Sequence, residues 1–452
     1  MAEEGLPGCP VDLLTAECIS RIFSYLGPAD LAAAACTHRA WRQAVTGEEG
    51  LWRVHCEADY SLRSLRLPGG GPAGSYPAAY GAWRSEFGRY GQLAGRALRA
   101  WRLIEDWTAQ HFPAVAASLG PGASEAELDA VERQLGFALP PALRVLYRVH
   151  NGQELEFDRL VDKQRTAAHE SIFHGMFGGY SFYSHLVSCR MLPLRRLVRW
   201  TRTAQAQLDF PAGDRRALFA ASHNFNKMVY CDAADGLVKI ASVDKETCLQ
   251  AVPADVPGGA LRDGALRWFE AYAGALASGA FAVEALDSEY PASIGICLFP
   301  QLPPGRSEAI TQGVRVRACP LFIPELTQAA GDERQYFFAY SIRFSLLPEE
   351  EQAALAGGAP LASAQLRSRY WRIRDAAGRV VNEVRGEAVV GQYPLLRPGE
   401  PEFVYQSCTH QRESKGSMEG SFCFVEGSLQ APGREFDAVC APFRLDVPDF
   451  MF

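Results

Sequence analysis

Residues 6–52 decide how this chain is read: Leu6-Pro7, Pro10-Val11-Asp12-Leu13-Leu14, Ile22-Phe23-Ser24-Tyr25-Leu26, Asp30-Leu31, Cys36, Trp41 and Leu51-Trp52. Leu14, Cys18 and Ile22, with Ile19, Phe23 and Leu26, recur at three- and four-residue spacing, which predicts one apolar helical face. Gly27 follows, able to take a left-handed conformation past a helix end, and Pro28 suits the first turn of the next helix. Three short helices result, with Leu31, Cys36, Trp41 and Trp52 left to bury. So few residues cannot build a deep core alone. Such a unit completes itself against something else, either a partner or the rest of its own chain.

Around it, bulk properties set the frame. A chain of 452 residues implies two to three domains. At 48% hydrophobic and 21% charged residues it is globular rather than disordered. A net charge of −7 leaves no nucleic-acid footprint and no attraction to an anionic membrane, so neither partner is expected. The 12 cysteines include no Cys-x-x-Cys pair, which argues against a metal framework and against a secreted disulfide scaffold. Reduced thiols point to a cytoplasmic or nuclear protein. The start, Met1-Ala2-Glu3-Glu4-Gly5, lacks the apolar run of a signal peptide, and no apolar stretch reaches membrane length.

The pattern of residues 1–60 resembles the F-box, the module that docks proteins onto the Skp-type adaptor of cullin–RING ubiquitin ligases. The resemblance implies adaptor-binding roles, as contacts or their supports, for Pro10, Leu13, Leu14, Ile22, Phe23, Leu26, Leu31, Trp41 and Trp52. Residues 61–95 read as a linker, because Pro68-Gly69-Gly70-Gly71-Pro72 to Pro77 is rich in turn formers.

A second domain is expected over residues 96–285. Ala97 to Trp107 reads as an amphipathic helix. Ser124 and Glu127 form a capping box, Leu128, Val131 and Leu135 an apolar stripe, and Gly136 a stop. Pro140-Pro141 opens another helix that Asn151-Gly152 closes. Short strand-like pieces such as Met228–Asp232 and Leu237–Ile240 follow, then a closing helix from Arg267 to Leu276. Leu135-Gly136-Phe137, Leu139-Pro140, Leu146-Tyr147, His150-Asn151-Gly152 and Trp268-Phe269 resemble the SUKH superfamily of Smi/Knr type, whose domains are largely protein-binding modules.

A third domain is expected over 301–452, where the period is two. Tyr336, Phe338, Tyr340, Ile342 and Phe344 share one strand face, and Phe337, Ala339, Ser341 and Arg343 the other. Alternating strands with Gly/Pro turns imply an antiparallel sandwich. Residues 348–360, with Glu349-Glu350-Glu351, read as a solvated loop. Tyr370-Trp371, Asp375, Gly378, Val384 to Gly391, Pro398-Gly399-Glu400, Phe403, Tyr405 and Gly416 to Gly420 resemble the ApaG domain, which implies a fibronectin-III-like fold. The whole is a multidomain α+β chain. Its domain order resembles F-box-only proteins with a carboxy-terminal ApaG domain, in particular the Skp-interacting partner F-box proteins of plants and green algae.

Several sites invite chemistry. Gly386-Glu387-Ala388-Val389-Val390-Gly391 stands where bacterial ApaG has Gly-x-Gly-x-x-Gly, so Gly386 and Gly391 are a candidate phosphate loop. Ala388 replaces the glycine that lets backbone approach a pyrophosphate, and Gln392-Tyr393-Pro394 starts no helix, so a tight turn is favoured. His169-Glu170 with His174 misses zinc-protease spacing by one residue, which rotates the second imidazole off the first face of a helix. Arg195, Arg196, Arg199 and Arg202 form a basic stripe, read as a solvated helix face, with a dock for an acidic partner or phosphate as the alternative. Tyr180, Phe182 and Tyr183 line either a recognition surface or the core. No hydrolase elbow, Walker or kinase signature occurs, and no cofactor or metal is nominated. The resemblances imply a non-catalytic substrate-recognition subunit of a Skp–cullin–F-box ligase. It would bind the adaptor, through it the cullin–RING ligase, and an unknown protein substrate. The rival reading is diphosphate or small-molecule binding or hydrolysis by the ApaG domain.

Overall fold

The computed structural model describes residues 14–156, 170–207, 213–242, 248–253, 262–355 and 359–452. The chain forms two compact units, residues 1–99 and 100–452.

The first unit is helical: α1 (Ala16–Phe23), α2 (Pro28–Thr37), α3 (Arg39–Gly47), α4 (Glu49–Tyr60) and α5 (Tyr76–Phe87), with the start of α6 (Gln92–His111). Thr15 caps α1, its hydroxyl accepting from the Cys18 N–H at 3.3 Å. Proline stands in the first turn of α2 after the extended Gly27. Phe23, Leu31, Val45 and Trp52 fill the interior. The Phe23 ring meets Trp41 edge-on at 5.9 Å, and Trp52 donates its indole N–H to the Val45 carbonyl at 2.7 Å. The stretch expected as a linker contains α5. Its Tyr80 packs at a tilt against Trp52 at 5.0 Å and Tyr60 at 5.4 Å, and donates to Asp59 at 2.6 Å. The Pro/Gly composition of residues 68–77 marks only the turn before that helix, because Ser75 caps it and the following aromatics pack.

The second unit opens with the rest of α6, α7 (Pro113–Ala116), α8 (Glu125–Leu135) and α9 (Pro141–Val149). The capping box forms as expected, and Gly136 ends α8 at φ 80°. An eight-stranded sheet follows, in the order β6-β5-β4-β3-β2-β1-β8-β7. Its strands are β1 (Gly179–Phe182), β2 (His185–Met191), β3 (Arg216–Ser222), β4 (Met228–Asp232), β5 (Val238–Ala241), β6 (Leu249–Gln250), β7 (Ala282–Asp287) and β8 (Tyr290–Cys297). Two helices come between its strands in sequence, α10 (Leu194–Gln207) between β2 and β3 and α11 (Gly264–Ala277) between β6 and β7. A boundary at residue 285 would cut β7. The β7–β8 hairpin instead extends the middle sheet, joined to β1 through the single parallel pair Gly179–Cys297. Gly179 must be glycine there, because a Cβ would lie 2.0 Å from the Val187 carbonyl oxygen.

Two antiparallel sheets complete the unit. One has the order β15-β11-β10-β9, from β9 (Ser307–Thr311), β10 (Val314–Phe322), β11 (Tyr336–Leu346) and β15 (Phe403–Gln411). The other has the order β13-β12-β16-β17, from β12 (Ala364–Asp375), β13 (Val380–Glu387), β16 (Gly416–Ser428) and β17 (Ala431–Arg444), with β14 (Leu395–Leu396) paired to β12. Phe344 meets Phe422 at 4.6 Å, and Trp371 meets both Tyr340 and Phe422, which closes the aromatic core between the sheets. Alternation along β11 is not matched by alternating exposure: Ala339 and Ser341 are fully buried. The second face of this sheet is covered too, by the middle region, where Arg343 bonds Glu284 of β7 at 3.2 Å. The expected solvated loop holds a short helix, α12 (Glu349–Ala353). Its Gln352 turns inward, donating to Leu347 at 2.7 Å and accepting from Leu361 at 2.8 Å.

Candidate functional site

In the first unit, α1 carries two apolar rows rather than one face. Phe23 points inward at 1% exposure, with Ile19 and Leu26 half-buried. Leu14 just before the Thr15 cap, Cys18 and Ile22 on the helix, and Tyr25 just after it all face solvent; Tyr25 is 78% exposed. The unit has too little interior to take both rows, so one remains open. A contiguous apolar row in water marks a contact surface. Of the residues expected at an adaptor interface, Leu14 and Ile22 are exposed, Leu26 and Trp41 are intermediate, and Phe23, Leu31 and Trp52 are interior supports. Pro10 and Leu13 lie outside the described residues. Tyr25 was missed as a site residue, although its spacing from Ile22 placed it on the same row.

The candidate phosphate loop is a tight turn. Ala388 has φ 59°, Val390 φ 49° and Gly391 φ 76°, and Val389 and Gln392 exchange backbone hydrogen bonds at 3.0 and 2.8 Å. The Arg369 guanidinium closes it from behind, donating to the carbonyls of Glu387 at 2.8 Å and Ala388 at 2.6 Å. No helix starts after it. The turn therefore lacks the convergent N–H groups of a helix terminus that hold a pyrophosphate.

The other candidates resolve as structure. Tyr180 and Phe182 are buried and Tyr183 is 65% exposed. Arg196 is buried, Arg195 bonds Glu154, and Arg202 donates to the Gln134 carbonyl, so the basic stripe of α10 is largely tied down. His169 lies outside the described residues. His174 meets the Phe112 ring at 5.1 Å, and no His/Cys/Asp/Glu group suited to a metal occurs among the described residues. Burial pushes the thiols of Cys56 and Cys319 up to about 11 and those of Cys189 and Cys297 up to about 12, so they are protonated and inert at neutral pH.

Sequence reasoning missed a buried polar cluster in the second unit. Lys227, in the turn between β3 and β4, and Glu325, before β11, are both fully enclosed with N···O 4.0 Å. Tyr180 donates to Glu325 at 2.5 Å, His185 lies 2.9 Å from it, and Lys227 also reaches Tyr180 at 3.3 Å and the Phe452 main-chain oxygen. Burial alone would raise the Glu325 carboxyl, but Lys227 and the bonds from His185 and Tyr180 hold it below the usual carboxylate range. Beside the cluster, Trp268 donates to the Met451 carbonyl at 2.6 Å, and Phe452 packs on Trp268 and Tyr272. These groups fasten the carboxy-terminal sheets to the middle sheet.

Family models match three parts of the chain: F-box-like over residues 16–58, the SMI1 / KNR4 family (SUKH-1) over 122–187, and the ApaG domain over 326–426. Over 442 residues the chain is 35% identical to "F-box protein SKIP16" of Arabidopsis thaliana, covering 95% of this chain and 97% of that one. It is 28% identical to "F-box only protein 3" of Mus musculus, covering 99% of this chain and 84% of the other. The carboxy-terminal part is 38% identical over 141 residues to "Protein ApaG" of Methylobacterium nodulans, which covers 31% of this chain and 93% of that protein.

Proposed function

Because the chain belongs to the F-box protein family that includes F-box protein SKIP16, we propose that it is the substrate-recognition subunit of a Skp–cullin–F-box ubiquitin ligase. The observation that carries the reading is the solvent-facing row Leu14, Cys18, Ile22 and Tyr25 on a helical unit that matches the F-box. It offers a Skp-type adaptor a few large apolar anchors, the kind of contact that carries most of an interface's energy. The middle and carboxy-terminal domains, joined through Lys227 and Glu325, present the target protein. The subunit performs no chemistry itself; its contribution is to hold a target near the ligase.

Binding of the purified chain to a purified Skp-type adaptor, measured by calorimetry, tests this reading. Stoichiometric binding is expected, and its absence would remove the ligase assignment. Hydrolysis or binding of a diphosphate by the ApaG turn has no observation in its favour: Ala388 keeps its methyl group there, and Arg369 already occupies the turn's carbonyls.

A further inference from the structure

β13 ends its sheet, and among the described residues no strand pairs with its outer side. The bond from the Ala388 N–H to the Arg367 carbonyl fixes the phase of the ladder. Asn382, Val384 and Gly386 therefore turn their main-chain groups toward β12, and Glu383, Arg385 and Glu387 turn theirs outward. Native sheets guard such edges with charged residues such as lysine, with proline, with a bulge or with a covering element, and the bulge here lies only at the start of β13, beside Val381. β13 has neither lysine nor proline, and nearly all of it is exposed, including Val380, Val381 and Val384. Two of its three charged side chains turn away from the open edge. Arg385 lies 4.4 Å over the Tyr370 ring, and Glu383 accepts from the Tyr370 hydroxyl at 2.5 Å, so both fold back onto β12.

At the start of β13 a cleft of about 560 Å³ opens between the two sheets. Ile373 and Asn382 line one wall and His410 and Gln411 the other. Its rim carries Arg334, Arg379, Arg412 and Lys415. Asp375 is engaged by Arg379 at 2.8 Å, so Glu333 and Glu413 are left against three further cations.

We propose that the β13 edge is a docking site for an extended segment of a partner protein, added as a further strand, with an acidic residue of that segment seated at the cleft. Main-chain hydrogen bonds supply the affinity and the basic rim the selectivity. The inference deepens the substrate-receptor reading, but its assay contains no adaptor, so either can fail without the other.

The test uses the full chain and a fluorescein-labelled peptide of alternating Thr and Val bearing two Glu at one end. Saturable anisotropy is expected. Methylating alternate peptide amides in one phase should weaken binding at least tenfold, and methylating them in the other phase should leave it within twofold, because only one phase faces β13. Arg412→Glu with Lys415→Glu should also weaken it at least tenfold at low salt. Arg385→Pro removes an outward N–H and should abolish binding, while Arg385→Ala should not. The amide-methylated peptides read the same contact without altering the protein. Absence of saturable binding, equal binding of both methylated peptides, or self-association of the chain that Arg385→Pro abolishes would overturn the proposal; in the last case the occupant is a second copy.

Discussion

The row on α1 allows an interface test that separates contact from support. Fully burying an Ile or Leu side chain is worth about 1.5–3 kcal/mol. Ile22 and Leu14 have 42% and 38% exposure left to lose. Covering them on an adaptor is then worth roughly 1 kcal/mol each, together about 2 kcal/mol, or roughly 30-fold in Kd. Leu14→Ala with Ile22→Ala should weaken adaptor binding by that factor in calorimetry and, because each side chain is also partly covered within the unit, lower its stability by less than Phe23→Ala does. Phe23→Ala is the contrasting variant. At 1% exposure its ring belongs to the interior, and its loss should cost about 3–5 kcal/mol of stability in a unit with little to spare. Its binding should fall because the helices no longer hold together. Wild-type affinity in the Leu14/Ile22 variant, or a loss of stability in it as large as that of Phe23→Ala, would refute the division of α1 into two rows.

Other outcomes follow from the second unit. Lys227→Met leaves the Glu325 carboxylate enclosed without its cation and should cost about 3–5 kcal/mol in urea unfolding, whereas Lys227→Met with Glu325→Leu should recover most of that. An additive double variant would count against the cluster. The native Glu325 carboxyl is lowered, so its contribution is complete above the unfolded value of about 4.3 and is lost as pH falls through the native one; Glu325→Gln should flatten that acid limb of stability. Ala388→Gly relieves a left-handed alanine and should raise stability by up to about 1 kcal/mol without conferring pyrophosphate binding in calorimetry. Gly152→Ala puts a Cβ 2.6 Å from the Pro193 nitrogen at φ 69° and should destabilise by about 2–4 kcal/mol on thermal unfolding.

What was legible in the sequence is what short-range chemistry writes. The Ser124–Glu127 box, the stop at Gly136 and the long alternation of β11 need only neighbours a few residues away. The helical period of α1 was equally plain, but which of its two rows would face water depends on how much interior the unit has. Arg196 reads as solvated on a helix wheel and is buried because the fold closes over it. A lone Lys227 and a lone Glu325 carry no local signature; only the docking of the carboxy-terminal sheets brings them together. The expected boundary at residue 285 falls inside β7, because the tie of the β7–β8 hairpin to the middle sheet, one parallel pair 118 residues apart in sequence, leaves no local mark.

The tail that packs on Trp268 also sets an order of events during synthesis. The Trp268 indole waits for a carbonyl 183 residues further along, and Lys227 for one 225 residues away. At about 5–20 residues per second, a ribosome needs roughly 10 to 40 s to cross the shorter of these gaps. Through that interval the nascent middle region carries an uncovered aromatic surface and a lysine that lacks its main-chain acceptor. Chaperone occupancy on stalled nascent chains should therefore persist until residue 452 has cleared the exit tunnel.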